Sequence, residues 1–298
     1  MTGVCVALVL GLVSAAPGAV ERVPVLTKPN VGEFQPARKS GYLGWEQNSA
    51  GDLRDLDVFA RRDGGSAFKV NPRRTQAAMG GIDGDLLVYQ QYHGTKTSDI
   101  KLFNLETRRR FSPQIFVNTR KWEYWPDLDG DWLLFGRRNL RGDKRKILLY
   151  NRNTQSHRIL DITSSFETFL APGQVNGNWV VWHRCKPPTK CDVYRYNIDL
   201  RIAKKVPNVK NRSQYAPSVT SDGIVYFARG RRQCGRSVKF FRWRPGAKPR
   251  ALLRLRDNRD VGDSYVSTTP SGKSEVFFEQ NVCNAVARRS DIYKIRFL

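Results

Sequence analysis

The stretch Trp125–Arg138 reads WPDLDGDWLLFGRR: a short polar lead-in, a tight Asp-Gly turn, then an apolar strand. The same design recurs upstream as GIDGDLLVYQQY from Gly81, and downstream as GQVNGNWVVWHR from Gly173, SVTSDGIVYFAR from Ser218 and TPSGKSEVFFEQ from Thr269. A weaker first copy is KSGYLGWEQN from Lys39. The turn glycines Gly41, Gly84, Gly130, Gly177, Gly223 and Gly272 fall 43 to 49 residues apart. A repeat of roughly 40–50 residues built from short strands is the mark of a β-propeller, because each repeat buries its apolar faces only against its neighbours. The expectation is an all-β chain: a six-bladed β-propeller of four-stranded antiparallel blades over about 34–74, 75–121, 122–167, 168–213, 214–263 and 264–298.

Within each repeat the strands are named A to D from the centre outward. In the third, A covers Tyr124–Leu128, B Trp132–Phe135, C Ile147–Tyr150, and D lies around Arg158. The Asp-Gly and Asn-Gly steps between A and B are the strongest short hairpin signal, since both positions accept positive φ. The sixth repeat stops after its third strand, SDIYKIRFL, whereas VERVPVL at Val20–Leu26 is a strand candidate outside the repeats. The simple solution pairs them, so that the N-terminal strand closes the last blade and leaves no open edge at the seam.

The pattern of turn Asp/Ser-Gly, apolar strand B, variable loop and Asp-Ile-Tyr-like strand C resembles the TolB-type six-bladed propeller with its WD40-like repeats. Ser221-Asp222-Gly223-Ile224-Val225-Tyr226-Phe227 matches that family's turn-and-strand motif best, and Ser290-Asp291-Ile292-Tyr293 its third strand. The likeness runs from about Gly41 to Leu298; the family's Ser-Pro-Asp-Gly is never complete, and the α/β domain that precedes the propeller in TolB has no counterpart. The resemblance implies partner binding on a rigid platform.

Residues 1–19 carry no charge, and their apolar run followed by small residues reads as a secretory signal cleaved after Ala15 or Ala19. No run approaches the ~20 apolar residues a membrane span needs. The expectation is a secreted or envelope-associated monomer without a membrane span. Of five cysteines Cys5 would leave with the signal, and an even remainder outside the cell suggests disulfides. Cys185 and Cys191 face each other across a hairpin, and Cys234 and Cys283 lie in equivalent loops of neighbouring blades. The expected pairs are therefore Cys185–Cys191 and Cys234–Cys283. The paired C-x₂₋₄-C spacing of a zinc site is absent.

Lys and Arg number 51 against 27 Asp and Glu, a formal net charge of +24. Such an excess implies attraction to anionic partners, and the repeat phase places it. In a propeller the B–C and D–A loops share one face. B–C loops there hold Arg137, Arg138, Arg141, Lys144 and Arg145 in repeat 3, and Arg184, Lys186 and Lys190 in repeat 4. Repeat 5 adds Arg229, Arg231, Arg232 and Arg236, and repeat 6 adds Arg288 and Arg289. D–A loops contribute Arg73, Arg74, Arg120, Lys121, Lys210 and Arg212. The opposite A–B turns carry Asp83, Asp85, Asp127, Asp129, Asp131 and Asp222, although Arg108–Arg110, Lys204 and Lys205 in C–D turns blur the polarity. The alternative is a solvated basic surface that holds no ligand.

Little points to catalysis. Asp127-Leu-Asp129-Gly-Asp131 resembles a calcium-loop fragment, but Ca²⁺ wants six to eight oxygens and no acid follows at the twelfth position. Asp57, Asp99, Asp192 and Asp291 recur in phase at the start of strand C, which argues for a structural role such as bonding the B–C loop backbone. His93, His157 and His183 form no recognisable triad, and no G-x-S-x-G, P-loop or dinucleotide motif occurs. Trp122, Tyr124 and Trp125 beside Arg120 and Lys121 could stack on sugars or bases, or simply fill the blade interior. The reading is a secreted scaffold, not an enzyme, without cofactor or metal, binding an anionic cell-surface polymer, acidic glycan or acidic protein. The leader disfavours an intracellular nucleic-acid target. The other reading is a hydrolase or lyase on an anionic polysaccharide at the central channel, which two inward carboxylates would favour.

Overall fold

The computed structural model describes residues 20–29, 31–49, 55–113, 116–186, 190–231, 238–256, 258–269, 271–283 and 290–297. These residues form five hydrogen-bonded antiparallel sheets. One is eight-stranded, but a single parallel bridge, Trp122 to Ser98, joins its two four-stranded halves. Counting those halves separately gives six blades. The inner A strands are Val31–Lys39, Ala77–Asp83, Trp122–Asp129, Phe169–Asn176, Ser213–Val219 and Arg259–Thr268. Each touches the A strands on either side, around a closed ring. Val20–Leu26 pairs antiparallel with Ser290–Phe297, so the last blade takes its outer strand from the N-terminal end, as expected. The first A strand starts at Val31 and the sixth at Arg259, ahead of the expected starts at 34 and 264.

The inner strands also carry a feature the repeat pattern does not show. Every A–B pair contains a register shift at mid-strand. Each such β-bulge breaks the two-residue alternation on which strand recognition depends. The bulged intervals contain Pro36, Gly80, Pro126, Gly173, Pro217 and Gly262. Proline suits a position whose N–H leaves the ladder. Glycine suits close approach: a Cβ on Gly80 would stand 2.4 Å from the Pro126 carbonyl oxygen, and one on Gly173 2.5 Å from that of Pro217.

The core lies between blades, in layers where one blade's B and C strands meet the next. Leu134, Ile147 and Leu149 of blade 3 pack on Val180, Trp182 and Tyr196 of blade 4. Tyr226, Ala228 and Phe240 of blade 5 pack on Val276, Phe278 and Ile295 of blade 6. Aromatic stacking continues across that seam, with Phe240 and Phe278 rings 5.6 Å apart. Among the described residues no helix is long and apolar enough to cross a membrane.

Adding a methyl at the inner ring should therefore be costly. Gly80→Ala and Gly173→Ala are each expected to destabilise by about 1–3 kcal/mol, the usual result of overpacking. Urea midpoints at constant slope would measure this. The ~0.4–1 kcal/mol gain that Gly→Ala gives at permissive sites would contradict the packing described.

Candidate functional site

The strand-B strings end in WEQ (45–47), YQQ (89–91), FGR (135–137), WHR (182–184), FAR (227–229) and FEQ (278–280). The aromatic packs against the preceding blade, the second residue faces the following blade, and the third returns to the preceding side. In blades 6, 1 and 2 the second residue captures a backbone N–H from the next blade's bulged strand. Glu279 Oε2 accepts from Gln35 N (3.1 Å), Glu46 Oε2 from Met79 N (3.3 Å), and Gln90 Oε1 from Trp125 N (3.3 Å). In blade 3 the place belongs to Gly136, and the Tyr124 ring fills the space. Blades 4 and 5 carry His183 and Ala228.

The result is a set of carboxylates facing the centre between blades 6, 1 and 2. A narrow channel cavity, about 20 Å³ to water-sized spheres, is lined by Gln35, Gly80, Trp125, Gly173, Asp263 and Tyr265 among others. The Gln35 amide, oriented by its partners, donates to Glu46 Oε2 (3.1 Å) and accepts from Trp125 Nε1 (3.2 Å). Burial, then the neighbouring Glu279 charge, pushes Glu46 up to about 8. Burial pushes Glu279, Asp263 and Glu33 up to about 7, against hydrogen bonds from backbone N–H groups. Burial also lowers His183 to about 4, so the imidazole is neutral. Among the described residues no group of three or more His, Cys, Asp or Glu could hold a metal ion.

The turn acids have similar structural work. Asp127 Oδ2 accepts from Val175 N (2.7 Å), Asp129 Oδ2 from Gly177 N (2.6 Å), and Asp83 Oδ2 from Gly130 N (2.8 Å). Lys39 bridges Asp83 and Asp129. The D-x-D run is thus an inter-blade clasp. Asp57, Asp99 and Asp192 bind the side chains of Lys69 and Asn71, His93 and Lys101, and Lys205 and Asn208, while loop residues 51–54 and 187–189 lie outside the described residues. Asp291 accepts from the Tyr293 hydroxyl (3.4 Å).

The predicted basic residues divide into two groups. Arg137 donates to Glu123 Oε1 (2.8 Å) and to the Phe116 and Val117 carbonyls. Arg145 donates to the Thr168 carbonyl (2.7 Å), Arg184 to Asp161 Oδ1 (2.7 Å), and Arg229 to the Pro207 carbonyl (2.8 Å). Arg138 lies 4.4 Å over the Trp122 ring. These five are half-buried or buried and tie the B–C ends to the D–A segments. Arg120, Lys121, Arg141, Lys186, Lys190 and Arg231 are exposed. Arg232, Arg236, Arg288 and Arg289 lie outside the described residues, as does the expected signal at residues 1–19. The Cys185–Cys191 disulfide is formed (S–S 2.06 Å), a bond compatible with an oxidising, extracellular or envelope setting. Cys283 is disulfide-bonded, and its expected partner Cys234 lies outside the described residues. Of the aromatic cluster, Tyr124 is buried with its hydroxyl on the Leu170 carbonyl, and Trp125 faces the channel.

The raised carboxyls predict a pH dependence of stability. A folded-state pKa above the unfolded value means the native state holds protons that the unfolded state releases, so stability falls as pH rises from about 4.5 to 8. Neutral His183 acts oppositely, but only below its unfolded value of about 6.5. The clean window is therefore about pH 6.5–8.5, where Tm should drop by several degrees. In a Glu46→Gln/Glu279→Gln variant, which copies the amide already present at Gln90, the drop should shrink to the part contributed by Asp263 and Glu33. An unchanged slope in that variant would contradict the assignment.

No family model matches the sequence, and no curated protein matches it. Solved structures do. A putative TolB from Agrobacterium tumefaciens superposes with TM-score 0.59 at 14% identity, covering 94% of this chain and 98% of that one. TolB from Acinetobacter baumannii gives 0.56 at 14%, covering 87% of this chain, which spans 63% of TolB. A prolyl endopeptidase gives 0.56 at 11%, with 88% of this chain matched to 42% of the enzyme. The chain thus shares the β-propeller fold of TolB and of peptidase propeller domains.

Proposed function

We propose that this protein is a secreted or envelope-associated binding platform whose B–C/D–A loop face engages an anionic partner: a cell-surface polymer, an acidic glycan or an acidic protein. One observation carries the reading. Arg120, Lys121, Arg141, Lys186, Lys190 and Arg231 are exposed on that face, and none forms an ion pair among the described residues. The A–B turn acids Asp83 and Asp129 are instead paired with Lys39. Free cations on one face and tied acids on the other produce a directional field that steers polyanions toward the loops. The Cys185–Cys191 bond stiffens one of those loops, which lowers the entropy lost on binding.

The inward carboxylates favour the second reading, a hydrolase or lyase at the channel. However, Glu46 and Glu279 already accept backbone N–H groups of the next blade, and a group that holds the frame together is a poor candidate for moving a substrate proton. The binding reading therefore has the stronger support.

The test is binding of the mature protein to an isolated anionic wall polymer, an acidic glycan and DNA across a salt series. The comparison is a variant with Arg120, Lys121, Arg141, Lys186 and Lys190 changed to Glu. Tight binding to one polymer is expected, with a slope of log K against log salt that flattens by about one for each cation removed from the interface. Weak, equal binding to all three polymers that fades by physiological salt would contradict the proposal. The same incubations, assayed for cleaved glycan, distinguish the enzyme reading.

A further inference from the structure

Two clefts adjoin at the loop end of blade 5, against the connection from blade 4. One, about 440 Å³, is lined by Val209, Arg212, Arg229, Lys239, Phe241 and Arg254. The other, about 450 Å³, is lined by Lys210, Asn211, Arg212 and Arg231. They share Arg212, so together they form a groove that bears six cations and no acid among the described residues.

Arg229 is the informative member. It is only 8% exposed, and its Nε–H has no hydrogen-bond partner among the described residues. Its Nη2 donates to the Pro207 carbonyl, and its guanidinium lies 4.4 Å over the Phe241 ring. No carboxylate of the described residues forms an ion pair with Arg212, Arg229, Lys239 or Arg254. A buried guanidinium beside other cations, with an unused donor and no counter-ion, is unfavourable by itself. Burial, and next the Arg212 charge, weakens its hold on its proton. The other arginines of equivalent position differ: Arg137 and Arg184 each meet a carboxylate, Glu123 and Asp161. Blade 5 has the same arginine without the acid.

We infer that the groove formed by Arg212, Arg229, Lys239 and Arg254, continued past Arg212 to Lys210 and Arg231, is a binding site for a chain carrying successive phosphate groups. This rests on the anionic-partner reading and narrows it. A lone carboxylate neutralises one cation, whereas a phosphate brings up to two charges and more acceptor oxygens to guanidinium forks. The volume of each cleft is in the range of a small-molecule pocket, and two in succession accommodate a repeating polyanion. Val209 and Phe241 supply a short apolar wall for the carbon skeleton between phosphates.

The test titrates the mature protein with inorganic tripolyphosphate and with trigalacturonate as a carboxylate of similar length. Tripolyphosphate should bind at least about tenfold more tightly, and Arg212→Glu/Arg254→Glu should weaken it by about 10–100-fold. Both residues reach solvent, so the variant should fold, which an unchanged Tm would verify. The Arg120/Lys121/Arg141/Lys186/Lys190 variant should bind tripolyphosphate within about threefold of the parent. Equal affinity for the two ligands, or a cleft variant that binds like the parent, would overturn the inference. If polymer binding is lost only in the loop-face variant, the groove proposal fails while the platform reading stands. If no anion binds the parent protein, both fail.

Discussion

A β-bulge in an inner strand frees a backbone N–H, and in a propeller that N–H is buried where water cannot satisfy it. All six inner strands of this protein carry such a bulge, so something must capture the freed donors. Glu279 and Gln90 capture the bulge amides of Gln35 and Trp125, and Glu46 takes the N–H of Met79 just before the blade 2 bulge, each reaching from strand B into the next blade. Past the bulges, Asp127 and Gln174 bind inner-strand residues of other blades that stand in the ladder, accepting from Val175 N and from Val219 N and Val266 N. These bonds join blades beside their apolar contacts and the turn clasps at Lys39, Asp83 and Asp129, and they fix the rotation of one blade on the next.

That constraint explains the uneven distribution of charge. The protein is strongly basic, yet its centre is acidic, because a carboxylate makes the strongest acceptor for a buried backbone donor. Burial costs those acids their ease of ionisation, and the frame holds several of them near neutrality. The cations follow a complementary rule. Where strand B ends in arginine, in blades 3 to 5, the guanidinium reaches back to the preceding blade's last strand or to the connection that follows it. Arg137, Arg184 and Arg229 are therefore part of the frame. The cations left for a partner are those beyond the strand ends, together with the groove where Arg229 lacks the acid its siblings have.

Much of this was legible in the sequence. The Asp-Gly turns and their spacing located the blades, and the missing fourth strand of the last repeat identified Val20–Leu26 as its partner. The face assignment of the loops also followed from phase. What could not be read was which arginines are free. The second residue after the strand-B aromatic looks like a loop cation in the linear sequence, but strand B continues through it and turns Arg137, Arg184 and Arg229 back onto the frame. The acids at Glu46 and Glu279 were equally hidden. They stand in the repeat strings as WEQ and FEQ, and only alignment of those endings against YQQ, FGR, WHR and FAR reveals that one position alternates between acceptors and small or neutral residues. Lys239 and Arg254 belong to strands C and D and join the groove only through the stacking of blade 5 on its neighbour.

The most direct test of the frame is backbone hydrogen exchange at Gln35, Met79 and Trp125. Gln35 and Trp125 lie inside bulges and Met79 just before one, and their amides would exchange rapidly if water reached them. Captured by Glu279, Glu46 and Gln90, they should instead exchange only as the whole fold opens, with protection equal to that of the central strand-B amides. Exchange at the rate of exposed loops would show that the blades are not held together in this way.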